Sequence, residues 1–350
     1  MISKNLLGWY SLNKRTLPWR KTKDPYKIWI SEIMLQQTQV ATVIPYYKRW
    51  INSYPNIKAL AKADYNDLLK HWEGLGYYSR CKNIHLTAKT LEKDFPNTFD
   101  ELIKLPGIGE YTAKTILAIA YNQQEVGVDT NIQRIGFRLL GLKKKSRFNS
   151  NRVKKFLETA QDKSKPGDFN QALMDLGSSF CQAKSVNCTP CPITYQCKAT
   201  LHDDPLKYPE PKKTKKIPLV NVSVCVIYYK SKLLLIQRPE DKMLGGLWEF
   251  PGGKIESHES DEAAVIREIK EETNLLIKNP HYVGKIKHQY SHFKVVISLF
   301  QKSVNSIKSL KIKENYIWTT TKGLDKFALP KANYKMLDLL KKNNDEKYLK

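Results

Sequence analysis

Apolar residues recur at intervals of three and four positions from Ile2 to Leu201, which is the spacing of one face of an α-helix. The stretch that contains Ile28, Trp29 and Ile33 is typical of this spacing, and most Gly and Pro residues lie between such stretches. The pattern predicts an all-helical domain over residues 1–201.

The pattern changes in residues 202–218, which contain four prolines and a run of lysines but no apolar period, as is typical of an extended linker. Beyond them, residues 220–229, 232–237 and 295–300 are rich in Val, Ile, Leu and Tyr over strand-like lengths. Together with the Gly-rich loop and the charged helix between them, these strands predict an α+β domain over residues 219–345.

The charge of the chain indicates its partner. The 350 residues include 59 Lys and Arg against 34 Asp and Glu, a net charge of +25, which favours nucleic acid as the partner. No apolar run approaches the roughly 18 residues that a membrane helix requires, and the first residues lack the apolar stretch of a signal peptide. We therefore expect a soluble, cytoplasmic protein that contacts no membrane.

Two carboxylates stand in positions that suit the cleavage of a glycosidic bond. Glu32 lies among apolar neighbours, where burial would raise its pKa and let it carry a proton near neutral pH. Asp129 follows a short apolar stretch and begins a predicted helix. The reaction requires an acid for the leaving group and a negative charge for the cationic sugar, so the two side chains should share one cleft. The alternatives are a helix-surface carboxylate for Glu32 and a helix N-cap for Asp129.

A glycine-rich turn, Leu105-Pro-Gly-Ile-Gly109, separates two helical stretches. Gly107 and Gly109 permit a tight turn whose backbone N–H groups point outward at the start of the next helix, where a DNA phosphate can bind. The alternative is a turn that only joins two helices.

Four of the six cysteines fall within residues 181–197, and six cysteines in a chain of this length do not make a disulfide scaffold. Four thiolates at these separations can surround one metal centre, whose ligands would be Cys181, Cys188, Cys191 and Cys197. A structural zinc site usually pairs two Cys-x-x-Cys units, and this run contains a single one.

Several segments of the first domain resemble the successive blocks of the MutY family of adenine DNA glycosylases, within the helix-hairpin-helix superfamily; they read SEIMLQQTQVATVIPYY, WEGLGYYSRCKN, LPGIGEYTA, VDTN and FNQALMDLG. The resemblance implies excision of adenine mispaired with 8-oxoguanine or guanine in duplex DNA. In that reaction Glu32 would protonate the adenine ring, Asp129 would stabilise the sugar or bond to it transiently, and Asn131 would help to hold the assembly. For the cysteines it implies a [4Fe-4S] cluster with a structural and docking role, with zinc as the alternative.

The resemblance also implies how the duplex is held. The adenine must leave the base stack before its glycosidic bond can be reached. Gln37 and Tyr77 match the family positions that wedge into the duplex, although a core tyrosine is the alternative for Tyr77. Gln171 matches the position that offers an amide to the base. The residues that match the lining of the family's adenine pocket are Arg15, Leu17, Trp19 and Arg20.

Tyr111 is a candidate catalytic residue because it stands where some relatives carry a lysine. Relatives that also cut the DNA strand carry a lysine there to form a Schiff base with the sugar, and a phenol cannot do so. Gln133 likewise replaces a lysine of some family members. The resemblance therefore predicts a monofunctional glycosylase.

Residues 253–275 resemble the Nudix box, with Asn274 where the pattern has Gly. Three carboxylates on one helix face repel one another, and a divalent cation such as Mg²⁺ would relieve that repulsion, with Glu259 or a partner helping to activate water. The alternative is a solvated charged helix. The three candidate ligands are Glu268, Glu271 and Glu272.

Residues 288–292, His-Gln-Tyr-Ser-His, resemble the loop with which the MutY family recognises 8-oxoguanine. Tyr290 replaces a phenylalanine there, and Ser291 and His292 would lie against the lesion base. The predicted fold is thus an all-α helix-hairpin-helix glycosylase domain with an iron-sulfur loop, followed by an α+β Nudix-like domain. A monomer that binds one DNA duplex is expected.

Two competing functions stay open. One is a fusion enzyme that also hydrolyses oxidised nucleoside triphosphates through its Nudix box. The other is a DNA-binding protein without catalytic activity, against which the presence of both Glu32 and Asp129 argues.

Overall fold

The computed structural model describes residues 2–91, 94–202, 204–211, 216–290 and 292–343. The chain divides into two compact units. The first consists of Met1–Lys62 and Lys82–Thr214, and the second consists of Ala63–Cys81 and Lys215–Lys350. Within the described ranges, no helix has the length and the apolar character that are needed to cross a membrane.

Helices make up residues 2–202, as the apolar period predicts. They are, in chain order, α1 (Ile2–Asn13), α2 (Pro25–Leu35), α3 (Val40–Ser53), α4 (Ile57–Lys62), α5 (Tyr65–Trp72), α6 (Ser79–Thr90), α7 (Phe99–Leu102), α8 (Glu110–Ala120), α9 (Thr130–Leu139), α10 (Arg147–Ala160), α11 (Pro166–Ser179) and α12 (Lys198–His202). The whole of α5 belongs to the second unit, although its sequence lies within the range predicted for the helical domain.

One core of the first unit is enclosed by α1, α9, α10 and α11, whose apolar faces meet around Phe137 and Phe169. Both rings are fully buried. Burial of an aromatic side chain of this size stabilises a fold by roughly 1.5–3 kcal/mol. The core therefore fixes α9 and α11 relative to each other, and both helices carry candidate site residues.

Asn170 of α11 is buried and anchors the segment that leads to Asp129. Its Nδ2 donates hydrogen bonds to the carbonyl oxygens of Glu125, at 2.8 Å, and Pro166, at 2.9 Å. Its Oδ1 accepts one from the backbone N–H of Gly127 at 2.8 Å. A buried amide with these three bonds holds the backbone just before α9 in one place.

The range predicted as an extended linker contains a short 3-10 helix, Pro205–Lys207, and the side chain of Tyr208 is buried. The reason is Arg138 of α9, whose Nε donates to the carbonyl oxygens of Pro205 and Tyr208, each at 3.0 Å. A lone basic residue on α9 thus orders part of a segment that its own composition leaves extended.

The second unit is built on a mixed sheet, which confirms the predicted α+β class. Its strands are β1 (Leu219–Tyr229), β2 (Lys232–Gln237), β3 (Trp248–Glu249), β4 (Gly252–Lys254), β5 (His281–Gln289), β6 (Lys294–Ser303) and β7 (Tyr316–Thr319). They are ordered β3-β2-β1-β6-β5, while β4 pairs with β1 and β7 pairs with β2. The β1–β6 pair is parallel and the other pairs are antiparallel.

The alternation of side chains along β1 divides the apolar interior of this unit into two layers. Val224 and Val226 pack in one layer with α14 (Lys331–Lys342). Cys225 and Ile227 pack in the other with α13 (Asp261–Thr273), which carries the Nudix-box glutamates. At the end of α13, Asn274 adopts the left-handed conformation with φ +59°, so this departure from the box leaves the helix end intact.

Candidate active site

A cleft of about 920 Å³ opens in the first unit between α2, α8, α9 and α11. Both Glu32 and Asp129 line it, so the two carboxylates share one cleft. The residues that the sequence singled out and that line this cleft are Arg15, Leu17, Trp19, Arg20, Glu32, Gln37, Gly109, Tyr111, Asp129, Asn131 and Gln171.

Glu32 lies on α2 with only 4% of its surface exposed, which excludes a helix-surface carboxylate. Its Oε2 accepts a hydrogen bond from the hydroxyl of Tyr111 at 2.8 Å. The pKa of Glu32 is raised to about 7, chiefly by burial and also by the negative charge of Asp129, while the Tyr111 hydrogen bond and Arg20 act in the opposite direction. The carboxyl group can therefore hold a proton at neutral pH.

Tyr111 lies on α8 and serves Glu32 as a hydrogen-bond donor. Burial raises the pKa of its phenol well above the usual value, and the neighbouring carboxylates Glu32 and Asp129 raise it further. The phenol thus keeps its proton across the working pH range. The replacement of lysine by tyrosine leaves no amine at this position of the cleft.

Asp129 is the N-cap of α9 and also lines the cleft, so its capping role does not remove it from the candidate site. Its Oδ1 accepts from the backbone N–H of Ile132 at 2.7 Å, and its Oδ2 accepts from Nδ2 of Asn131 at 2.8 Å. The helix N-terminus and these two N–H donors stabilise a negative charge on the carboxylate.

Asn131 joins Asp129 to the backbone near the first candidate metal ligand. Its Oδ1 accepts from Arg134 at 2.8 Å. The same guanidinium donates through Nε to the carbonyl oxygen of Cys181 at 3.0 Å and through a terminal nitrogen to that of Gly177 at 3.1 Å. One arginine thus binds both the cysteine loop and the asparagine that holds Asp129.

The wall of the cleft depends on Asp175, a residue that sequence reasoning missed. It is 2% exposed, and its carboxylate forms ion pairs with both Arg15 and Arg20. Arg20 donates to both carboxylate oxygens, at 2.6 and 2.9 Å. An acidic residue on the apolar side of the FNQALMDLG segment was the available indication, because a buried carboxylate needs a cationic partner. On the same helix, Oε1 of Gln171 accepts from the hydroxyl of Tyr10 at 3.2 Å.

The two residues predicted to enter the duplex share an unusual backbone. Gln37 has φ +58° and Tyr77 has φ +48°, a conformation that is uncommon for residues other than glycine and that clusters at functional sites. Gln37 lines the cleft, whereas Tyr77 belongs to the second unit. The Tyr77 side chain is half-buried rather than part of the core.

The two glycines of the predicted hairpin differ in whether their positions have room for a side chain. Gly107 has φ +78°, and a Cβ there would stand 2.7 Å from Cβ of Asn83, so the turn demands glycine. Gly109 is the N-cap of α8, and a Cβ there would meet nothing within 4 Å. The backbone at Gly109 is therefore open to a ligand at the start of an 11-residue helix.

The four clustered cysteines line one small cavity next to α9 and α11. Burial raises the pKa of Cys191 to about 11, and the sulfur of Cys181 accepts a hydrogen bond from Arg138 at 3.1 Å. Among the residues that the structure describes, no group of three or more Cys, His, Asp or Glu side chains is arranged to hold a metal ion.

The same finding bears on the predicted Mg²⁺ ligands of the second unit, which are not assembled as one group. Glu268 and Glu271 pair with Arg267, at 2.9 and 3.3 Å. Glu272 instead accepts from the backbone N–H of Gly252 at 2.9 Å, and burial raises its pKa to about 7. These separate partners already offset the repulsion that a cation was expected to relieve.

A second cleft, of about 820 Å³, lies in the second unit and is lined by Glu271 and Glu272 but not by Glu268. Glu249 also lines it and forms an ion pair with Arg238. Glu259, the candidate water activator, pairs with Arg267 at 2.6 Å and is not among the lining residues.

In the predicted recognition loop, Ser291 lies outside the described residues. His292 is exposed, and its ring centroid is 6.4 Å from that of Tyr77. The ring of Tyr290 packs between His288, at 4.6 Å, and Phe293, at 5.0 Å. Tyr290 therefore forms the apolar base of the loop rather than its exposed tip.

Comparison with known proteins gives matches in both units. A family model for the HhH-GPD superfamily of base excision DNA repair proteins matches residues 30–161, and one for the NUDIX domain matches residues 223–339. An adenine DNA glycosylase of Buchnera aphidicola subsp. Baizongia pistaciae is 34% identical over 348 residues, covering 97% of each chain. The human adenine DNA glycosylase is 32% identical, over 85% of this chain and 66% of its own.

A solved structure shares the fold of the helical part. A thermostable thymine-DNA glycosylase superposes with a TM-score of 0.53 at 24% identity, over 57% of this chain and 95% of its own.

Proposed function

The chain belongs to the adenine DNA glycosylase family, whose members are base excision repair enzymes, and we propose that it hydrolyses the N-glycosidic bond of adenine placed opposite 8-oxoguanine or guanine in duplex DNA. The observation that carries this proposal is the pair of unlike carboxyl groups in one cleft. Glu32 is buried and can hold a proton at neutral pH, whereas Asp129 is held by two N–H donors.

In the proposed reaction the adenine rotates out of the stack into the cleft, and Glu32 transfers its proton to a ring nitrogen of the base. The protonated base leaves with the bonding electrons. Asp129 offsets the positive charge that develops on the sugar, and water completes the hydrolysis. Asn131 and Arg134 hold Asp129 in the orientation that this step requires.

We propose that the enzyme is monofunctional. Strand cleavage by this class of enzyme needs an amine that attacks the sugar, and no lysine is among the described residues that line the cleft. Tyr111 keeps its proton and donates it in a hydrogen bond to Glu32, so it supplies no nucleophile.

The proposed DNA contacts follow from charge and backbone geometry. The net charge of +25 favours the phosphate backbone, and the open N–H groups at Gly109 suit a phosphate at the start of α8. Gln37 and Tyr77 would enter the space that the flipped adenine leaves, and Gln171 would present its amide to the base. Arg15 and Arg20 form the pocket wall, since Asp175 engages both of them.

For the opposite base, we propose that the loop of residues 288–293 reads 8-oxoguanine. Ser291 and His292 would contact the lesion, and Tyr290 would support them from below. One protein molecule acting as a monomer would then bind one duplex.

We further propose that Cys181, Cys188, Cys191 and Cys197 hold a [4Fe-4S] cluster. The four thiols line one small cavity. Their spacing contains a single Cys-x-x-Cys unit, whereas structural zinc sites usually pair two such units, so it fits a cluster better than zinc. Such a cluster would hold the loop after α11, to which Arg134 and Arg138 bind. Purified protein should show broad visible absorption that Cys191→Ser removes, and a colourless, zinc-containing protein would contradict the proposal.

A second activity is favoured by one observation. Glu271 and Glu272 line the cleft of the second unit together with Lys311 and Lys313, which could bind phosphates. Hydrolysis of 8-oxo-dGTP with Mg²⁺ that is lost in Glu272→Gln would establish this activity. Absence of turnover by the wild type would refute it.

The decisive experiment for the main proposal is single-turnover cleavage of a duplex with adenine opposite 8-oxoguanine. We expect Asp129→Asn to lower the rate by at least about 10³-fold, a loss of roughly 4 kcal/mol of transition-state stabilisation, while DNA binding persists. A wild-type protein that binds this duplex but releases no adenine would leave only the non-catalytic DNA-binding alternative.

A further inference from the structure

The segment that carries Tyr77 packs in the second unit, although the chain on both sides of it belongs to the first. Its helix α5 approaches the loop before β3 closely, since a Cβ on Gly246 would stand 3.0 Å from a methyl group of Leu69 and 3.3 Å from the ring of Tyr65. Gly246 also has φ +81°, so this approach depends on glycine. The predicted wedge residue is therefore carried on the Nudix-like fold.

Glu73, the residue after α5, joins this segment to the start of α14. Its Oε1 accepts from the hydroxyl of Tyr334 at 2.6 Å and from the backbone N–H of Leu329 at 2.7 Å. Its Oε2 accepts from Nζ of Lys70 at 2.7 Å, and that amine also donates to the carbonyl oxygen of Phe327 at 3.2 Å. The Glu73 side chain is 17% exposed, so these charge-assisted bonds are largely shielded from water.

Hydrogen bonds from both flanking helices hold the loop from Glu73 to Tyr77. Gly74, Gly76 and Tyr77 all have positive φ, at +91°, +78° and +48°. The carbonyl oxygen of Gly76 accepts from the indole of Trp72 and from the guanidinium of Arg80, both at 3.0 Å. The guanidinium also lies 5.5 Å from the centroid of the Tyr77 ring. Because the loop has little freedom of its own, a shift of Glu73 would be passed on to Tyr77.

Beyond this loop, the Tyr77 ring makes an edge-on contact with the ring of His292, at 78° between the planes. His292 belongs to the loop of residues 288–293 that would read the base opposite adenine. We propose that Glu73 is a positioning residue, which holds Tyr77 in register with that loop so that the wedge enters the duplex beside the base being read. The proposal rests on the proposed function, since it explains how selectivity for 8-oxoguanine is coupled to entry of the wedge.

The test compares single-turnover excision of adenine opposite 8-oxoguanine with excision opposite guanine, at saturating protein. We expect Glu73→Ala to lower the ratio of the two rates by about tenfold. Glu73→Gln should retain the ratio within about twofold, because one amide oxygen can still accept from both Tyr334 and Leu329. The control is Asn66→Ala, which removes an exposed bond of 3.1 Å to Gln237 between the same two regions and should leave the ratio unchanged.

A second measurement separates positioning from general stability. Hydrogen–deuterium exchange of residues 74–80 should increase in Glu73→Ala and stay at the wild-type level in Glu73→Gln. Should Glu73→Ala fail to fold, Tyr334→Phe is used for the test. We expect a smaller loss, of about threefold in the ratio, because Glu73 still accepts from the backbone N–H of Leu329 and from Lys70.

The outcomes distinguish two failures. If the wild type excises no adenine, or shows no preference for 8-oxoguanine, the proposed function itself is wrong. If the wild type has the preference and Glu73→Ala lowers the melting temperature while keeping both the ratio and the exchange pattern, Glu73 is merely structural and the positioning role is refuted.

Discussion

The hydrogen bond from Tyr111 to Glu32 should set the pH range of adenine excision. Glu32 acts as an acid only when protonated, so the rate should fall as the pH rises through its pKa of about 7. The Tyr111 bond, at 2.8 Å, favours the charged form and thereby lowers this pKa. Tyr111→Phe removes the bond and should move the fall in rate to higher pH.

The size of that shift follows from the strength of the bond. A hydrogen bond to a charged group contributes roughly 1.5–3 kcal/mol, and about 1.36 kcal/mol corresponds to one pKa unit. The midpoint of the basic limb of the pH–rate profile should therefore move to higher pH by about one to two units. At a pH about one unit above the wild-type pKa, the variant would keep a larger protonated fraction than the wild type.

The assay is single-turnover excision opposite 8-oxoguanine between about pH 5.5 and 9, with the limb normalised to each variant's own plateau. The matched control is Tyr121→Phe, which removes a phenol that donates at 2.8 Å to the carbonyl oxygen of Phe95. Its limb should coincide with that of the wild type. If the basic limb of Tyr111→Phe has its midpoint at the same pH as the wild type or at a lower pH, the assignment of Glu32 as the acid is refuted.

Three further predictions concern stability and DNA binding. The pKa of Glu32 in the folded protein lies above its usual value of 4.5, so the stabilising contribution of Glu32 is complete below about pH 4.5 and is lost as the pH rises through about 7. In urea titrations, the free energy of unfolding of Glu32→Gln relative to wild type should therefore rise by about 3 kcal/mol between pH 4 and 8. A difference that does not change with pH would contradict the pKa assignment. Asp175→Asn should destabilise the protein by about 3–5 kcal/mol, because it leaves the largely buried guanidinium of Arg20 without a counter-charge. An unchanged melting temperature would show that the ion pairs with Arg15 and Arg20 contribute nothing. Gly107→Ala should lower the melting temperature, because its new methyl group meets the side chain of Asn83. Gly109→Ala meets no neighbouring atom, so it should keep the melting temperature and weaken DNA binding at the proposed phosphate site. Equal melting temperatures and equal affinities for DNA in the two variants would contradict the phosphate site.

The sequence allowed the helical domain, the α+β domain and the shared cleft to be predicted because each depends on local patterns. Helical and strand periods follow from neighbouring residues. Glu32 and Asp129 were indicated by their apolar surroundings, and the resemblance in five segments then gave each a role. Asp175 escaped notice because its partners Arg15 and Arg20 lie 160 and 155 positions away. Glu73 escaped for the same reason, with Tyr334 at a separation of 261. Long-range ion pairs leave no period in a sequence.

For the Nudix-box glutamates, the sequence pattern predicts the local structure correctly but not the partners of the side chains. The box correctly predicts a helix, and Asn274 ends it in the left-handed conformation that the pattern assigns to Gly. The spacing also predicts that Glu268, Glu271 and Glu272 share a face. The spacing does not reveal which protein groups compete with a cation for these carboxylates. Arg267 binds Glu268 and Glu271, and the backbone N–H of Gly252 binds Glu272.

The two carboxyl groups proposed to act in catalysis differ chiefly in where they lie on their helices. Glu32 is near the end of α2, where backbone N–H groups are already bonded to carbonyl oxygens one turn earlier, so a buried carboxylate finds a single phenol as donor. Asp129 precedes α9, where the first N–H groups have no such partner, and the N–H of Ile132 binds its Oδ1 instead. The same functional group thus finds a buried setting with one phenol donor at one helix position and a backbone donor at the other. The charge on Asp129 raises the pKa of Glu32 and thereby supports the proposed role of Glu32 as the acid.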